Sequence, residues 1–168
     1  AELKKAFADA QTGDTVKLME DITVDEQIDI KNPAALKGIT LDGNGKTINA
    51  QLHTYSGGGS PLYFGNADEK LYCTGISIRN LTINGEARFG IFLCGGTTST
   101  FENVNISGDF LYAANFYGTH GATLTNCNIS NNYNADSDNQ FGAAVWSNVA
   151  SANPLKLINT KISSIAIN

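Results

Sequence analysis

The sequence predicts an all-β fold: a right-handed parallel β-helix of about five coils with a short capping α-helix at its N-terminus. Three observations support this prediction. A short segment recurs along the chain, each copy carries one asparagine at its centre, and apolar residues alternate with polar ones on both sides of that asparagine. A repeated unit that cannot bury its apolar face alone is typical of a solenoid, in which neighbouring coils cover one another.

The repeated segment is clearest in residues 75–84, and its copies cover residues 99–107, 122–130 and 155–163. The central residues are Asn80, Asn103, Asn126 and Asn159. The first three follow a constant 23-residue period, and the last step is longer because it contains an insertion. Asparagine suits a sharp bend because it tolerates left-handed dihedrals and its side chain bonds nearby backbone. We therefore predict that these four asparagines stack in one bend of successive coils as a hydrogen-bonded ladder.

A third strand completes each predicted coil. Residues 89–94 recur after the same period as residues 112–117, and residues 141–146 form the next copy after a six-residue insertion. In this interpretation Phe89, Ile91 and Leu93 point inward. The 23-residue period does not match the hexapeptide repeat of a left-handed β-helix, so the right-handed form is preferred.

The two ends of the predicted solenoid differ. Residues 1–11 predict an amphipathic helix, whose apolar residues Leu3, Ala6, Phe7 and Ala10 share one face and would cover the open end of the first coil. Residues 15–168 predict the coils, which makes residues 1–168 a single domain. The last strand is apolar and has no capping segment, so we expect either a fragment of a longer protein or self-association through the C-terminal coil edge.

The composition limits the partners. With 42% hydrophobic and 16% charged residues, the 168-residue chain is expected to fold. Its net charge of −5 argues against nucleic acid, and it has no apolar run long enough to predict a membrane span. The three cysteines cannot all pair with one another. Cys127 takes an inward position, whereas a disulfide of Cys94 stays an open alternative.

The N-terminal part of the chain carries a family resemblance. Residues 3–10, 13–18 and 21–24, followed by residues 39–48 with the corner Asp42-Gly43-Asn44-Gly45, resemble the pectate-lyase-like right-handed β-helix domains of bacterial secreted and cell-surface proteins. The chain is similar in particular to the non-catalytic, adhesin-type members. This resemblance implies an adhesive or stalk module, secreted or at the bacterial cell surface, whose partner is a glycan or a host or matrix protein.

The fold is not specific for function, because it also hosts lyases and hydrolases. The resemblance implies that such enzymes place acidic and basic residues on the outward face of the third strands. The alternation predicts that this face carries Tyr63 and Gly65, then Gly90, Phe92 and Cys94, then Ala113, Asn115 and Tyr117, then Gly142, Ala144 and Trp146. These residues supply no general acid or base. We therefore predict no catalytic residue; the alternative is a pectin-degrading lyase or glycoside hydrolase with an incomplete active site.

The predicted outward face is aromatic instead. Its candidate ligand-binding residues are Tyr63, Phe92, Asn115, Tyr117 and Trp146. Aromatic rings on a rigid sheet offer flat surfaces for the apolar faces of sugars, and they are also favoured anchors of protein interfaces. The alternative is that these rings pack on one another or are covered by the segments 51–60 and 131–140.

One acidic segment is a candidate for metal binding. Asp136 and Asp138 lie in the insertion before the last aromatic strand. Calcium takes six or more oxygen ligands, and this segment supplies three or four at most. Calcium binding there is a hypothesis beside the alternative of a solvated loop, and no other cofactor is expected.

Overall fold

The computed structural model of the chain describes residues 2–52, 59–95, 98–118, 121–133, 142–147 and 154–164. Within these ranges the protein is all-β apart from one short helix, and its named strands pair in parallel. The elements are α1 (Glu2–Asp9), β1 (Thr15–Lys17), β2 (Ile22–Val24), β3 (Asp29–Ile30), β4 (Thr40–Gln51), β5 (Tyr63–Phe64), β6 (Ser77–Cys94), β7 (Thr100–Tyr117), β8 (Thr123–Thr125), β9 (Asn128–Asn131), β10 (Ala143–Ser147), β11 (Lys156–Ile158) and β12 (Lys161–Ser164).

The strands lie in three rows of parallel pairs. The first row contains β1, β4, β6, β7, β8 and β11. The second row contains β2, β4, β6, β7, β9 and β12, and the third contains β3, β5, β6, β7 and β10. The long strands belong to more than one row because they continue round the bends. This pairing agrees with the predicted all-β solenoid.

The 23-residue repeat sets the register of the two longest strands. β6 and β7 pair from Ser77 with Thr100 to Cys94 with Tyr117. Equivalent side chains of successive repeats therefore lie next to each other, as the hydrogen bond from Thr100 Oγ1 to Ser77 Oγ shows. Successive copies of the repeat thus form columns of equivalent residues on both sides of the sheet.

The register of β10 differs from the prediction by two residues. Tyr112 pairs with Ala143, not with Phe141, and Trp146 pairs with Asn115, not with Tyr117. A shift of two keeps each side chain on its predicted side, since side chains alternate with a period of two. Trp146 therefore stays on the outward face.

The interior is one hydrophobic cluster built from these columns. The first row contributes Leu41, Ile78, Phe101 and Leu124, and the second contributes Ile48, Ile83, Ile106 and Ile129, all at most 1% exposed. Phe101 also meets Phe116 of the third row edge to face, with ring centroids 5.5 Å apart. Each coil thus buries its apolar side chains against the next.

Helix α1 packs on the start of this interior. It ends at Asp9, two residues before the predicted boundary. Phe7 is 1% exposed and meets Phe64 edge to face at 5.6 Å. The Asn32 amide donates to the carbonyl oxygens of Phe7, Ala8 and Ala10 at 3.1, 3.0 and 2.8 Å. This one side chain therefore binds carbonyl groups that the end of the helix leaves without helical partners.

The last described strands expose two side chains of the inward columns. Leu157 pairs with Leu124 and Ile162 pairs with Ile129, so both continue inward columns. They are nevertheless 48% and 38% exposed. The pairing of this edge with another chain stays a prediction.

The predicted asparagines all have left-handed backbone dihedrals. The φ values of Asn80, Asn103, Asn126 and Asn159 lie between 47° and 54°. The Asn103 amide donates to Asn80 Oδ1 at 3.2 Å, and the Asn80 amide donates to Asp42 Oδ1 at 3.5 Å. Asn44, which the repeat did not identify, has a φ of 52° in the bend of the preceding coil. A ladder through all four predicted asparagines stays a proposal.

A second bend is made by glycines. Gly85 and Gly108 pair with each other where the second row passes into the third, with φ values of 109° and 150°. A Cβ atom on Gly85 would lie 2.0 Å from the carbonyl oxygen of Ala50, and one on Gly108 would lie 2.0 Å from that of Gly85. The backbones approach so closely here that only glycine fits.

Candidate ligand-binding groove

The third row positions a column of outward side chains. Tyr63 pairs with Phe92, Phe92 pairs with Asn115, and Asn115 pairs with Trp146. Tyr117 is two residues beyond Asn115 on the same strand, so it lies on the same side. The structure therefore brings all five candidate residues together along one groove.

Six aromatic rings form a closed circuit in this groove. The centroid distances are 4.1 Å for Tyr63–Phe92, 6.1 Å for Phe92–Tyr117, 6.2 Å for Tyr117–Trp146, 5.9 Å for Trp146–Tyr112, 6.0 Å for Tyr112–Phe89 and 6.4 Å for Phe89–Tyr63. Asn115 has Phe92 and Trp146 as its neighbours across the sheet and lies between Tyr112 and Tyr117 along its strand. An amide is thus enclosed by aromatic side chains.

Two members of the circuit were predicted on the wrong side. Phe89, expected inside, belongs with Phe92 and Cys94 to a second cluster outside the main core, and Tyr112 packs against it. Ala113 and Ala144, expected outside, are buried in the core. The strict alternation fails between Phe89 and Ile91, where a Cβ on Gly90 would lie 2.5 Å from the carbonyl oxygen of Ala113. The backbone at Gly90 thus lies close to Ala113 at the point where the side chains change from the outward side, at Phe89, to the inward side, at Ile91.

The groove also has polar residues that the alternation did not identify. Asn66, Ala67 and Asp68 line it from a turn closed by the bridge between Asn66 and Leu71. Arg88 lines it as well, with its guanidinium carbon 5.1 Å from the centroid of the Phe89 ring. One carboxylate and one guanidinium therefore border the aromatic rings, in addition to the residues that the alternation placed on this face.

Asn115 is the most buried polar side chain of the groove. It is 4% exposed, and within the described part of the chain its Oδ1 atom has no hydrogen-bond partner. Tyr117, by contrast, is 42% exposed, and Tyr63, Tyr112 and Trp146 are partly exposed. The groove encloses about 390 Å³, which is within the range of small-molecule sites. It therefore has an aromatic rim and a buried amide at its centre.

Comparison with known families identifies the class of domain. A family described as a pectate lyase-like adhesive domain matches residues 1–113. The chain belongs to this family. A search of curated proteins and a search of solved structures gave no match. The resemblance found in the N-terminal part of the chain is thus confirmed at the level of the family.

The match does not cover the whole groove of this adhesive domain. Tyr63, Phe89, Phe92 and Tyr112 lie within the matched residues. Asn115, Tyr117 and Trp146 lie after them, so the central amide and two rings come from the part of the chain beyond the match. The only helix of the described part has eight residues, and no helix there could cross a membrane.

The thiols of the adhesive domain are buried and free. Burial raises the pKa of Cys94, which lies behind the aromatic circuit, and the nearby Asp68 carboxylate raises it further. Burial also raises the pKa of Cys73 to about 12. Cys127 is buried as predicted, and the alternative of a Cys94 disulfide is wrong because all three cysteines are free. Protonated thiols of this kind are not nucleophiles near neutral pH.

The predicted metal site cannot be placed. Asp136 and Asp138 lie outside the described residues. Among the residues that are described, no group of three or more His, Cys, Asp or Glu side chains could hold a metal ion. Calcium binding by the two aspartates stays a hypothesis.

Proposed function

We propose that this adhesive domain is a non-catalytic module, secreted or exposed at the cell surface, that binds a glycan through its aromatic groove. The three rows of parallel pairs support a right-handed β-helix of about five coils as its architecture. Family membership supports the adhesive role. The glycan would be a short segment that crosses successive strands of the third row, from Tyr63 towards Trp146.

The observation that carries this proposal is the circuit of six rings on one outward face. Tyr117, Trp146, Tyr63 and Tyr112 leave part of their surface exposed there. Aromatic side chains of this kind pack against the apolar C–H faces of sugars, while their polar atoms bond hydroxyl groups. The rings also contact one another, so each is held in place before a ligand arrives, which lowers the entropy lost on binding.

A second candidate is a lyase or hydrolase of the pectin-degrading type. Asp68 and Arg88 favour it, because they place a carboxylate and a guanidinium on the same groove. The two candidates differ in what becomes of the glycan. An enzyme releases new reducing ends or unsaturated uronate, whereas an adhesive module binds without turnover.

The test is a glycan array followed by calorimetric titration with the full chain. Trp146→Ala removes one exposed ring from the groove, and we expect binding at least about tenfold weaker, since aromatic residues are frequent hot spots. Tyr72→Ala is the matched control, because Tyr72 is 52% exposed and does not line the groove. Equal glycan binding by the wild type and Trp146→Ala, or binding of no glycan by either, would contradict glycan recognition by the groove.

A further inference from the structure

Asn115 differs from the other buried amide of the described residues, Asn131, which ends β9 in the second row. Asn131 is 1% exposed, and its side chain is fully bonded. Its Oδ1 accepts from the backbone N–H groups of Phe110 and Tyr133, both at 3.1 Å, and its Nδ2 donates to the carbonyl oxygens of Phe110 and Ala143 at 2.6 and 3.0 Å. The fold can therefore satisfy a buried amide completely where the amide is structural.

Aromatic residues lie on both sides of Asn115 in the sheet, and its Oδ1 atom has no hydrogen-bond partner among the described residues. Its neighbours across the sheet are Phe92 and Trp146, and the Phe92 ring has no hydrogen-bond donor. A buried oxygen without a donor destabilises the folded state. A structural role would not explain such an arrangement, because an apolar residue of similar size would avoid this cost.

The charges of the groove and of the whole chain indicate which class of ligand the groove can bind. Its charged lining residues are Asp68 and Arg88, whose formal charges cancel. Burial raises the pKa of Tyr63, so this phenol stays neutral near neutral pH. The whole chain carries a net charge of −5, which repels a polyanion. An uncharged ligand therefore fits the groove better than an acidic polysaccharide.

We infer that Asn115 is the specificity-determining residue of the groove and that the ligand is an uncharged glycan, one hydroxyl of which donates to Asn115 Oδ1. This inference rests on the proposed function. Asn115 is only 4% exposed in the free protein, so a neighbouring side chain such as Trp146 shifts when the hydroxyl enters. Trp146 is the only tryptophan of the chain, and its fluorescence reports that shift directly.

The experiment uses the full chain with soluble galactan, mannan and xylan as neutral probes and with polygalacturonate and alginate as acidic ones. Fluorescence titrations compare the wild type with Asn115→Leu, which replaces the amide by an apolar group of similar size. We expect a neutral polysaccharide to change the Trp146 fluorescence and Asn115→Leu to bind it about tenfold more weakly.

Thermal unfolding supplies a readout independent of the ligand. Removing an amide oxygen that has no partner among the described residues should raise the Tm, by about 2 °C or more for Asn115→Leu. Asn131→Leu is the matched control, and it should lower the Tm because four hydrogen bonds are lost.

The outcomes separate this inference from the proposed function. Unchanged affinity or a lower Tm for Asn115→Leu overturns the role of Asn115, while loss of binding in Trp146→Ala leaves glycan recognition in place. Preference of the wild type for polygalacturonate or alginate overturns the assignment of an uncharged ligand. If none of the five polysaccharides binds and the glycan array is also blank, the proposed function fails first.

Discussion

Stacked coils bring equivalent side chains together both in the bend between the first two rows and in the groove of the third row. In the bend these side chains are polar and bond to one another, whereas in the groove most of them are aromatic. In the bend, Asn103 bonds to Asn80, and Asn80 bonds to Asp42. In the groove, the equivalent stack is aromatic, and the one amide at its centre has an oxygen without a partner among the described residues. Polar groups that hold the fold together are bonded to each other, whereas the polar group of the groove is left for another molecule.

The largest effect is expected in the glycine bend, where the backbones of neighbouring coils approach too closely for a side chain. Gly85→Ala places a Cβ 2.0 Å from the carbonyl oxygen of Ala50 at a φ of 109°. We expect it to lower the free energy of unfolding by about 3 kcal/mol or more, because the backbone of two coils must separate. Urea denaturation with a circular-dichroism readout measures this loss.

Gly13→Ala is the matched control for that substitution. Gly13 also has a positive φ, of 85°, but no atom lies within 4 Å of its Cβ position. Only the dihedral cost of about 1 kcal/mol is expected there. Equal losses for both variants would show that the close approach at Gly85 adds nothing.

Substitutions at Asn103 separate the two roles of a bend asparagine, its left-handed dihedral and its hydrogen bond. Asn103→Ala loses both the tolerance for a φ of 54° and the hydrogen bond to Asn80, so we expect a loss of about 1–2 kcal/mol in unfolding free energy. Asn103→Gly keeps the dihedral and loses only the bond. A loss for Asn103→Gly as large as that for Asn103→Ala would mean that the dihedral has no share in the effect.

The smallest expected effect is a pH-dependent change in stability at Asp42, which accepts the hydrogen bond from the Asn80 amide. The backbone N–H of Asn44 at 2.9 Å, followed by the Asn80 amide and the Arg79 guanidinium, lowers the pKa of Asp42 below its ordinary value of 3.8. The ionised carboxylate therefore stabilises the fold above pH 3.8, and this contribution is lost as the pH falls through the folded pKa.

The matching substitution is Asp42→Asn. We expect it to cost about 1 kcal/mol or less near pH 7, because Arg79 is partly exposed, and to cost nothing in strong acid. Melting curves of both proteins from pH 2 to 7 measure the difference. A constant difference across that range would contradict a role for the ionised carboxylate.

The sequence predicted the regular parts of the molecule well, for a physical reason. The 23-residue repeat fixes the register of β6 with β7, and alternation then fixes the inward columns and the bend asparagines. The five candidate groove residues were found by the same rule. Asn44 was placed in a corner but not in the column of asparagines, because the register shifts between Asp42 and Lys46 and the bend there does not match the repeat.

The irregular parts of the groove could not be read from the repeat. Phe89 was placed inside because alternation was carried through the break at Gly90. Asp68 comes from a turn whose position no repeat defines. Trp146 was predicted on the correct face, but its partner was wrong by two residues because the preceding insertion hides the register. The side chosen by Phe89, the turn that carries Asp68 and the register of Trp146 depend on tertiary contacts, which the repeat does not encode.

The helix that Asn32 fastens to the first coil has a consequence for assembly. Its residue Phe7 lies against Phe64 at the start of the apolar interior. Another copy of the chain could stack on this end only after the helix had moved away. The helix therefore limits edge-to-edge association at the first coil.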